Sequence, residues 1–308
     1  MRIALAQIAP TLGNVEANLG LHHKAAAKAR AGGAELVVFP ELSLTGYVLK
    51  DLVPEVALSL KHSPEVQELC RMSRKIAVSF GMVEEAEDHR FYNSAVFAAG
   101  GKILHCHRKV YLPTYGMFEE GRDFAAGDSF AAFDTPLGRF GILICEDAWH
   151  PSASYLLTRD GADYLLVLSS GPSRGVGSGK ELASITSWVD LCRVTAKFQT
   201  VFVLYVNRVG VEDGLHFSGG SFVVDPFGEL IGRAPALREK IGCFTLPRGT
   251  LRRARTLYPL LRDEKPEVAL RGLHRLLAAD DPSETPERDR RPSMQAASSP
   301  AGPRRRLG

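Results

Sequence analysis

Cys145 ends the apolar run Arg139-Phe-Gly-Ile-Leu-Ile-Cys145 and is followed by the acidic pair Glu146-Asp147, so a strand gives way to a loop at a thiol. Two other apolar runs end as abruptly. Leu36-Val-Val-Phe-Pro40-Glu41 places a carboxylate after a strand, beside a proline that disfavours further regular pairing, and Arg108-Lys109-Val-Tyr-Leu-Pro113 does the same with an ammonium. Strand ends opening into loops are where catalytic side chains concentrate. A free cysteine of pKa near 8.5 is only a few per cent thiolate at neutral pH, so it gains from a base that takes its proton or a cation that favours the anion. Glu41 could be that base and Lys109 that cation. When a thiolate attacks a carbonyl or nitrile carbon, negative charge grows on the oxygen or nitrogen, and an ammonium and a backbone N–H held beside it stabilise the transition state more than the ground state. Taken singly, each residue has a plainer use: Cys145 as a small packed hydrophobe, Glu41 as a turn cap, Lys109 as a surface charge. The chemical reading draws its weight from all three together.

The elements that must position them are legible as β-branched apolar runs at 3–8, 36–39, 76–83, 92–98, 103–110, 140–145, 164–168, 201–207, 221–225 and 230–234. Helix-like stretches lie between several of them: Val15 to Ala31 ahead of Gly32-Gly33, Ser63 to Lys75, Ala153 to Asp160 ahead of Gly161, and Glu181 to Lys197. Helices alternating with strands that are apolar on both faces predict an α/β protein with covered sheets. The runs 76–83, 92–98 and 103–110 follow one another too closely for crossovers and predict antiparallel hairpins, hence a mixed sheet. In a largely parallel sheet the carboxyl ends of strands converge on the ligand crevice, which would gather Glu41, Lys109 and Cys145 into one site.

Composition sets outer bounds. Of 308 residues, 45% are hydrophobic and 24% charged, as in an ordinary globular protein with a sizeable core. The net charge is only +3, and several positive charges lie in the last twenty residues, so nucleic-acid binding is not indicated. The five cysteines (Cys70, Cys106, Cys145, Cys192, Cys243) show no paired spacing and the chain opens on a strand-like segment, which points to a reducing cytoplasm. No apolar run approaches the roughly 20 residues that span a bilayer, so no membrane partner is expected. Residues 1–278 are expected to form the folded domain. From 279 to 308 the chain turns polar and proline-rich, ending in Arg304-Arg-Arg-Leu-Gly308; it cannot bury enough apolar surface to offset its ordering entropy and is expected to be a disordered tail.

Other motifs carry weaker readings. His105-Cys106-His107 puts two imidazoles on one strand face, but a zinc site needs at least three protein ligands, so a structural use is preferred and no metal is expected. Gly171 to Glu181 imitates a phosphate-binding loop after a strand, but Arg174 replaces the first glycine and Glu181 the hydroxyl residue after Lys180, so a mobile entrance loop is the better reading and no cofactor is expected. Ser169 and Ser170, at the end of the preceding strand, would reach the same crevice and contact substrate. Tyr47 and Trp149 line the pocket walls or pack in the core.

The segments Phe39-Pro-Glu41-Leu-Ser-Leu-Thr-Gly-Tyr47, His107-Arg-Lys109-Val-Tyr-Leu-Pro-Thr-Tyr115 and Ile144-Cys145-Glu-Asp-Ala-Trp149 resemble the nitrilase superfamily of carbon–nitrogen hydrolases, whose signature is a Glu, Lys, Cys triad. Tyr205-Val-Asn207-Arg-Val-Gly210 and Phe217 to Ile231 look like the family's closing strands, so the resemblance covers residues 1 to about 248. Lys109 to Phe124 is most similar to the glutamine-hydrolysing domain of glutamine-dependent NAD synthetases; by that pattern Glu120, rather than the adjacent Glu119, is a fourth site member and Tyr115 shapes the substrate pocket. The resemblance implies a four-layer αββα sandwich of two mixed sheets that packs into a homodimer or higher homo-oligomer. It implies an amidase in which Glu41 deprotonates Cys145, Lys109 and the Glu146 N–H hold the oxyanion, and Glu120 orients substrate or lysine. A synthetase would need an ATP-binding domain after residue 250, so the expectation is a free-standing amidase or a subunit supplying ammonia to a separate synthetase. A nitrilase acting on nitriles and a non-catalytic scaffold are the alternatives.

Overall fold

The computed structural model of the protein describes residues 1–174 and 182–280. The stretch 175–181 and residues 281–308 lie outside the described residues, and with them most of the entrance-loop and disordered-tail readings; residues 279 and 280, expected in the tail, instead close the helix Pro266–Asp280. The chain divides into two units, Met1–Arg262 and Asp263–Gly308; the described part of the second contains the helix Pro266–Asp280.

Strands β1 (Arg2–Gln7), β2 (Leu36–Val38), β3 (Ala77–Glu85), β4 (Phe91–Ala99) and β5 (Lys102–Arg108) come first, followed by β6 (Phe133–Thr135), β7 (Gly138–Ile144), β8 (Tyr164–Ser169) and β9 (Phe202–Asn207). The hairpin β10 (Val209–Glu212) and β11 (Leu215–Ser218) precedes β12 (Phe222–Val224), β13 (Leu230–Arg233) and β14 (Lys240–Thr245). One six-stranded sheet has the order β14-β1-β2-β3-β4-β5 and the other β13-β12-β9-β8-β7-β6. Each is parallel at its centre and antiparallel toward its edges.

Period-two alternation explains the layers. In β1, Ile3 and Leu5 point between the sheets, where they meet Phe97, Phe140, Ile142 and Leu166, while Ala4 and Ala6 face outward onto the helix Val15–Ala31 and its neighbour Pro64–Met72. On the second sheet Leu165, Val167 and Val203 face the opposite way, against the helices Pro151–Arg159 and Ala183–Gln199. The first unit is thus the expected four-layer αββα sandwich. Its small alanines on the helix-facing side of β1 let the long helix lie close, and Asn14 caps that helix by accepting the Ala17 N–H at 2.9 Å.

Two antiparallel steps, β3 to β4 and β4 to β5, return β5 to the direction of β2. Residues just past β2 and just past β5 therefore leave the sheet at the same edge.

Candidate active site

Glu41 follows β2 by three residues on a turn where Leu42 adopts a left-handed φ of 47°. The turn lies flat on β3 because Gly81 has no side chain: a Cβ there would stand 2.3 Å from Leu42 N and 2.8 Å from Pro40 O. Ser43 fastens the same turn, its Oγ accepting the Gly81 N–H at 3.2 Å and meeting His22 Nε2 at 3.0 Å. Lys109 follows β5 directly and is fixed by its own backbone, whose N–H donates to Asn93 O at 2.9 Å.

The side chains converge in a buried cluster. Lys109 Nζ donates to Glu41 Oε1 at 2.8 Å and to Glu120 Oε1 at 2.7 Å, with Lys109 wholly buried. Asn93 Nδ2 also donates to Glu41 Oε1, at 2.8 Å, and Tyr47 OH donates to Glu120 Oε1 at 2.7 Å. Glu119 stays exposed while Glu120 turns inward. Glu120 Oε2 is buried without a hydrogen-bond partner. One ammonium facing two carboxylates leaves the cluster a proton short of neutrality, and burial accordingly pushes the Glu120 carboxyl above its usual range, Glu41 adding to the rise and Lys109 opposing it. Burial works against the Lys109 ammonium, but Glu120 and Glu41 outweigh it and hold its pKa well above the ordinary lysine range.

Cys145 enters from the second sheet. It lies at the end of β7, at the start of the short 3₁₀ turn Cys145–Trp149, and has a left-handed φ of 45°, a conformation costing a non-glycine residue about 1–3 kcal/mol. Ser169 Oγ donates to Cys145 Sγ at 3.5 Å, and Tyr205 OH donates to Ser169 Oγ at 3.4 Å. The next residue, Ser170, reaches Glu41: its N–H donates to Oε2 at 2.7 Å and its hydroxyl to the Glu41 carbonyl at 3.0 Å. Although Cys145 keeps some exposure, desolvation by its packed surroundings pushes the thiol well above its ordinary range; Glu41 adds to this and Lys109 opposes it. The thiol thus shares its surroundings with a carboxylate and an ammonium.

The four sequence-derived groups Glu41, Lys109, Cys145 and Glu120 therefore occupy one region. Ser169 and Ser170 are fully buried and spend their polar groups on Cys145 and Glu41. Tyr47 is both wall and donor, and lines with Lys50, Met117, Phe118 and Glu120 a cavity of about 150 Å³. Tyr115 is exposed and donates to Glu146 Oε2 at 2.9 Å; burial of its hydroxyl, with that bond, pushes it up to about 12. Trp149 is also exposed, edge-on to Trp188 at 5.2 Å, which in turn stacks toward Tyr205. His105 stacks on Phe133, and His107 bonds to Asp147, so the two imidazoles serve packing and hydrogen bonding; among the described residues no group of three metal-binding side chains occurs. Asn93 is the member that sequence reasoning missed. Its signal was a lone amide, fully buried, inside the apolar strand Phe91–Ala99.

Comparison with known proteins identifies the family of the chain. The family model for carbon–nitrogen hydrolases matches residues 2–256. A glutamine-dependent NAD(+) synthetase from Acinetobacter baylyi is 33% identical over 240 residues, covering 78% of this chain but 43% of the synthetase. The chain thus spans less than half the length of that relative. An (R)-stereoselective amidase from a Pseudomonas species is 33% identical over 270 residues, covering 86% of this chain and 92% of the amidase. Among solved structures, an amidase from Nesterenkonia sp. is 27% identical and superimposes with a TM-score of 0.73 over 90% of this chain and 96% of its own. A single hydrolase sandwich, found alone in the amidases and as one part of the longer synthetase, is what these proteins share, and by that shared unit this chain belongs to the carbon–nitrogen hydrolase family.

Proposed function

We propose that the chain is an amidase that cleaves a linear primary amide of the glutamine type through a thioester on Cys145. The observation that carries this is the buried Lys109 ammonium held between Glu41 and Glu120, beside a thiol at a strained strand end. In the proposed cycle Glu41 takes the Cys145 proton as sulfur attacks the amide carbon. Lys109 Nζ and the Glu146 N–H receive the oxyanion. Glu41 gives its proton to the departing amine, releasing ammonia, and then activates the water that cleaves the thioester. Glu120 and Tyr47 hold the lysine in place through the shared Oε1 atom. Tyr115, bonded to Glu146, and Trp149 are both exposed and form the mouth where the acyl part of the substrate enters in this reading. All five cysteines are free, which supports action in a reducing compartment; among the described residues no helix is long and apolar enough to cross a membrane.

The similarity to glutamine-dependent synthetases favours glutamine as acyl donor and a separate ammonia-consuming synthetase as partner. The test is ammonia release from glutamine and a panel of primary amides, set beside a panel of nitriles, with mass spectrometry of the trapped acyl-enzyme. Amide turnover with an acyl mass on Cys145, lost in Cys145→Ala, is expected. Turnover of nitriles alone, or amide turnover that survives Cys145→Ala, overturns the proposal. Ammonia release that appears only when a synthetase is added would identify the chain as a dependent subunit.

A further inference from the structure

Asp147 is a wholly buried carboxylate that touches none of Glu41, Lys109, Glu120 or Cys145 by hydrogen bond, yet it is joined to the flanks of two of them. Its Oδ1 accepts the Val110 N–H at 3.1 Å and the Tyr111 N–H at 3.0 Å, and its Oδ2 accepts His107 Nε2 at 2.8 Å and the Ile144 N–H at 3.0 Å. Three of these donors bracket Lys109, two residues before it and one and two after; the fourth immediately precedes Cys145. The His107–Asp147 pair is sealed from solvent, with side-chain exposures of 3% and 0%. Lys109 and Cys145 come from different sheets, so nothing in either sheet's ladder sets their separation.

We infer that Asp147 is the positioning residue that fixes the Lys109 ammonium relative to the Cys145 thiol and the Glu146 N–H. The reasoning is geometric. A carboxylate that accepts hydrogen bonds on both oxygens is held rigidly, and charge-assisted bonds are roughly twice as strong as neutral ones. By accepting the Ile144 N–H from two residues past Cys145, Asp147 also closes the turn that keeps Cys145 at its positive φ. Three backbone N–H groups and one imidazole meet one carboxylate, so the lysine-bearing segment and the cysteine elbow move as one body. A displacement of about 1 Å in such a constellation costs about 100-fold in rate. A residue with this task changes the chemical step and leaves substrate affinity in place.

This rests on the amidase reading above, and the experiment separates the two. Asp147→Asn keeps the volume and one oxygen for the Val110 and Tyr111 N–H groups, but sets an NH₂ against the Ile144 N–H and His107. With active sites titrated by a thiol label, kcat toward the amide is expected to fall about 100-fold or more while KM stays within about threefold. His107→Leu, which removes one donor of the four, is expected to lower kcat about 10-fold, and His107→Gln to restore part of it. These two variants carry the test if Asp147→Asn does not fold. Unchanged kcat per titrated site in Asp147→Asn, a rise in KM that accounts for the loss, or equal kcat in both His107 variants overturns the inference. Amide turnover that survives Cys145→Ala overturns the amidase reading instead, and Asp147 then has no lysine–thiol geometry to serve.

Discussion

The Ser170 amide nitrogen stands 2.7 Å from Glu41 Oε2, so the end of a strand in one sheet holds a carboxylate carried by the other. The adjacent Ser169 turns its hydroxyl to Cys145 instead. The two neighbouring serines should therefore respond differently to the same substitution. Ser170→Ala keeps the N–H and loses only the hydroxyl bond to the Glu41 carbonyl, so urea unfolding should show a loss of about 1 kcal/mol with kcat nearly unchanged. Ser169→Ala removes the donor at sulfur, and kcat should fall about 3- to 10-fold, the rate equivalent of one hydrogen bond. Identical effects of the two on kcat would refute the division of labour.

Glu41 raises the Cys145 pKa and Lys109 lowers it. Removing the carboxylate charge should therefore let the thiol ionise at lower pH even as the proposed proton acceptor is lost. In Glu41→Gln, thiolate absorbance near 240 nm, taken as the difference from the same variant with Cys145→Ala, is expected to appear at lower pH than in the parent, with amide turnover down by about 100-fold or more. A thiolate titration shifted upward would show that Glu41 stabilises the anion and contradict its placement as base.

The three strand ends were legible because a thiol, a carboxylate and an ammonium each break an apolar run, and a break in a run is visible without knowing what it faces. Asn93 was not, because its contact with Glu41 depends on the register that pairs it with Val83, and register is a property of two strands. The hairpin β10–β11 has a local sequence signal of its own. Asp213-Gly214 has φ of 45° and 78°, the two left-handed residues of a tight hairpin turn. Its first strand, however, starts two residues after the end of β9 and merges with that run. Strand β14 is an edge strand with exposed and half-buried residues and a glycine at its centre, so it shows little apolar pattern. The three residues of β6 are too few to show a period.

His22 is fully buried, bonded to Asn18 O at 2.7 Å and Ser43 Oγ at 3.0 Å, and stacked on Phe39 at 4.0 Å. Burial lowers its pKa from 6.5 to about 4; the Asn18 bond opposes this and His23 assists. A depressed folded-state pKa means that the unfolded chain binds the proton first on acidification. Stability is therefore full above pH 6.5 and declines down to about pH 4, where the penalty from this residue reaches about 3 kcal/mol. His22→Gln retains a polar side chain that does not titrate. Its urea midpoints should change less between pH 7.5 and pH 4.5 than those of the parent. Parallel curves for the two proteins would show that His22 does not supply the acid sensitivity.

Arg208 and Glu212 form an ion pair with side-chain exposures of 1% and 2%, and Glu212 Oε1 also accepts the N–H groups of Tyr47 at 2.7 Å and Val48 at 2.6 Å. This pair therefore anchors the segment whose tyrosine reaches Glu120. Glu212→Gln keeps an oxygen for both N–H groups but leaves the guanidinium buried without its counter-charge, and should cost about 3–5 kcal/mol. Adding Arg208→Met removes that stranded charge, and the double variant should recover most of the loss because a neutral buried site avoids the desolvation of both ions. Arg208→Met alone should be milder than Glu212→Gln, since the two backbone N–H groups still satisfy the carboxylate. If Tyr47 is placed through this anchor, the single Glu212→Gln should also lower kcat, and the double variant should restore rate together with stability. Recovery of stability without recovery of rate would place the kinetic role of Tyr47 outside the control of this ion pair.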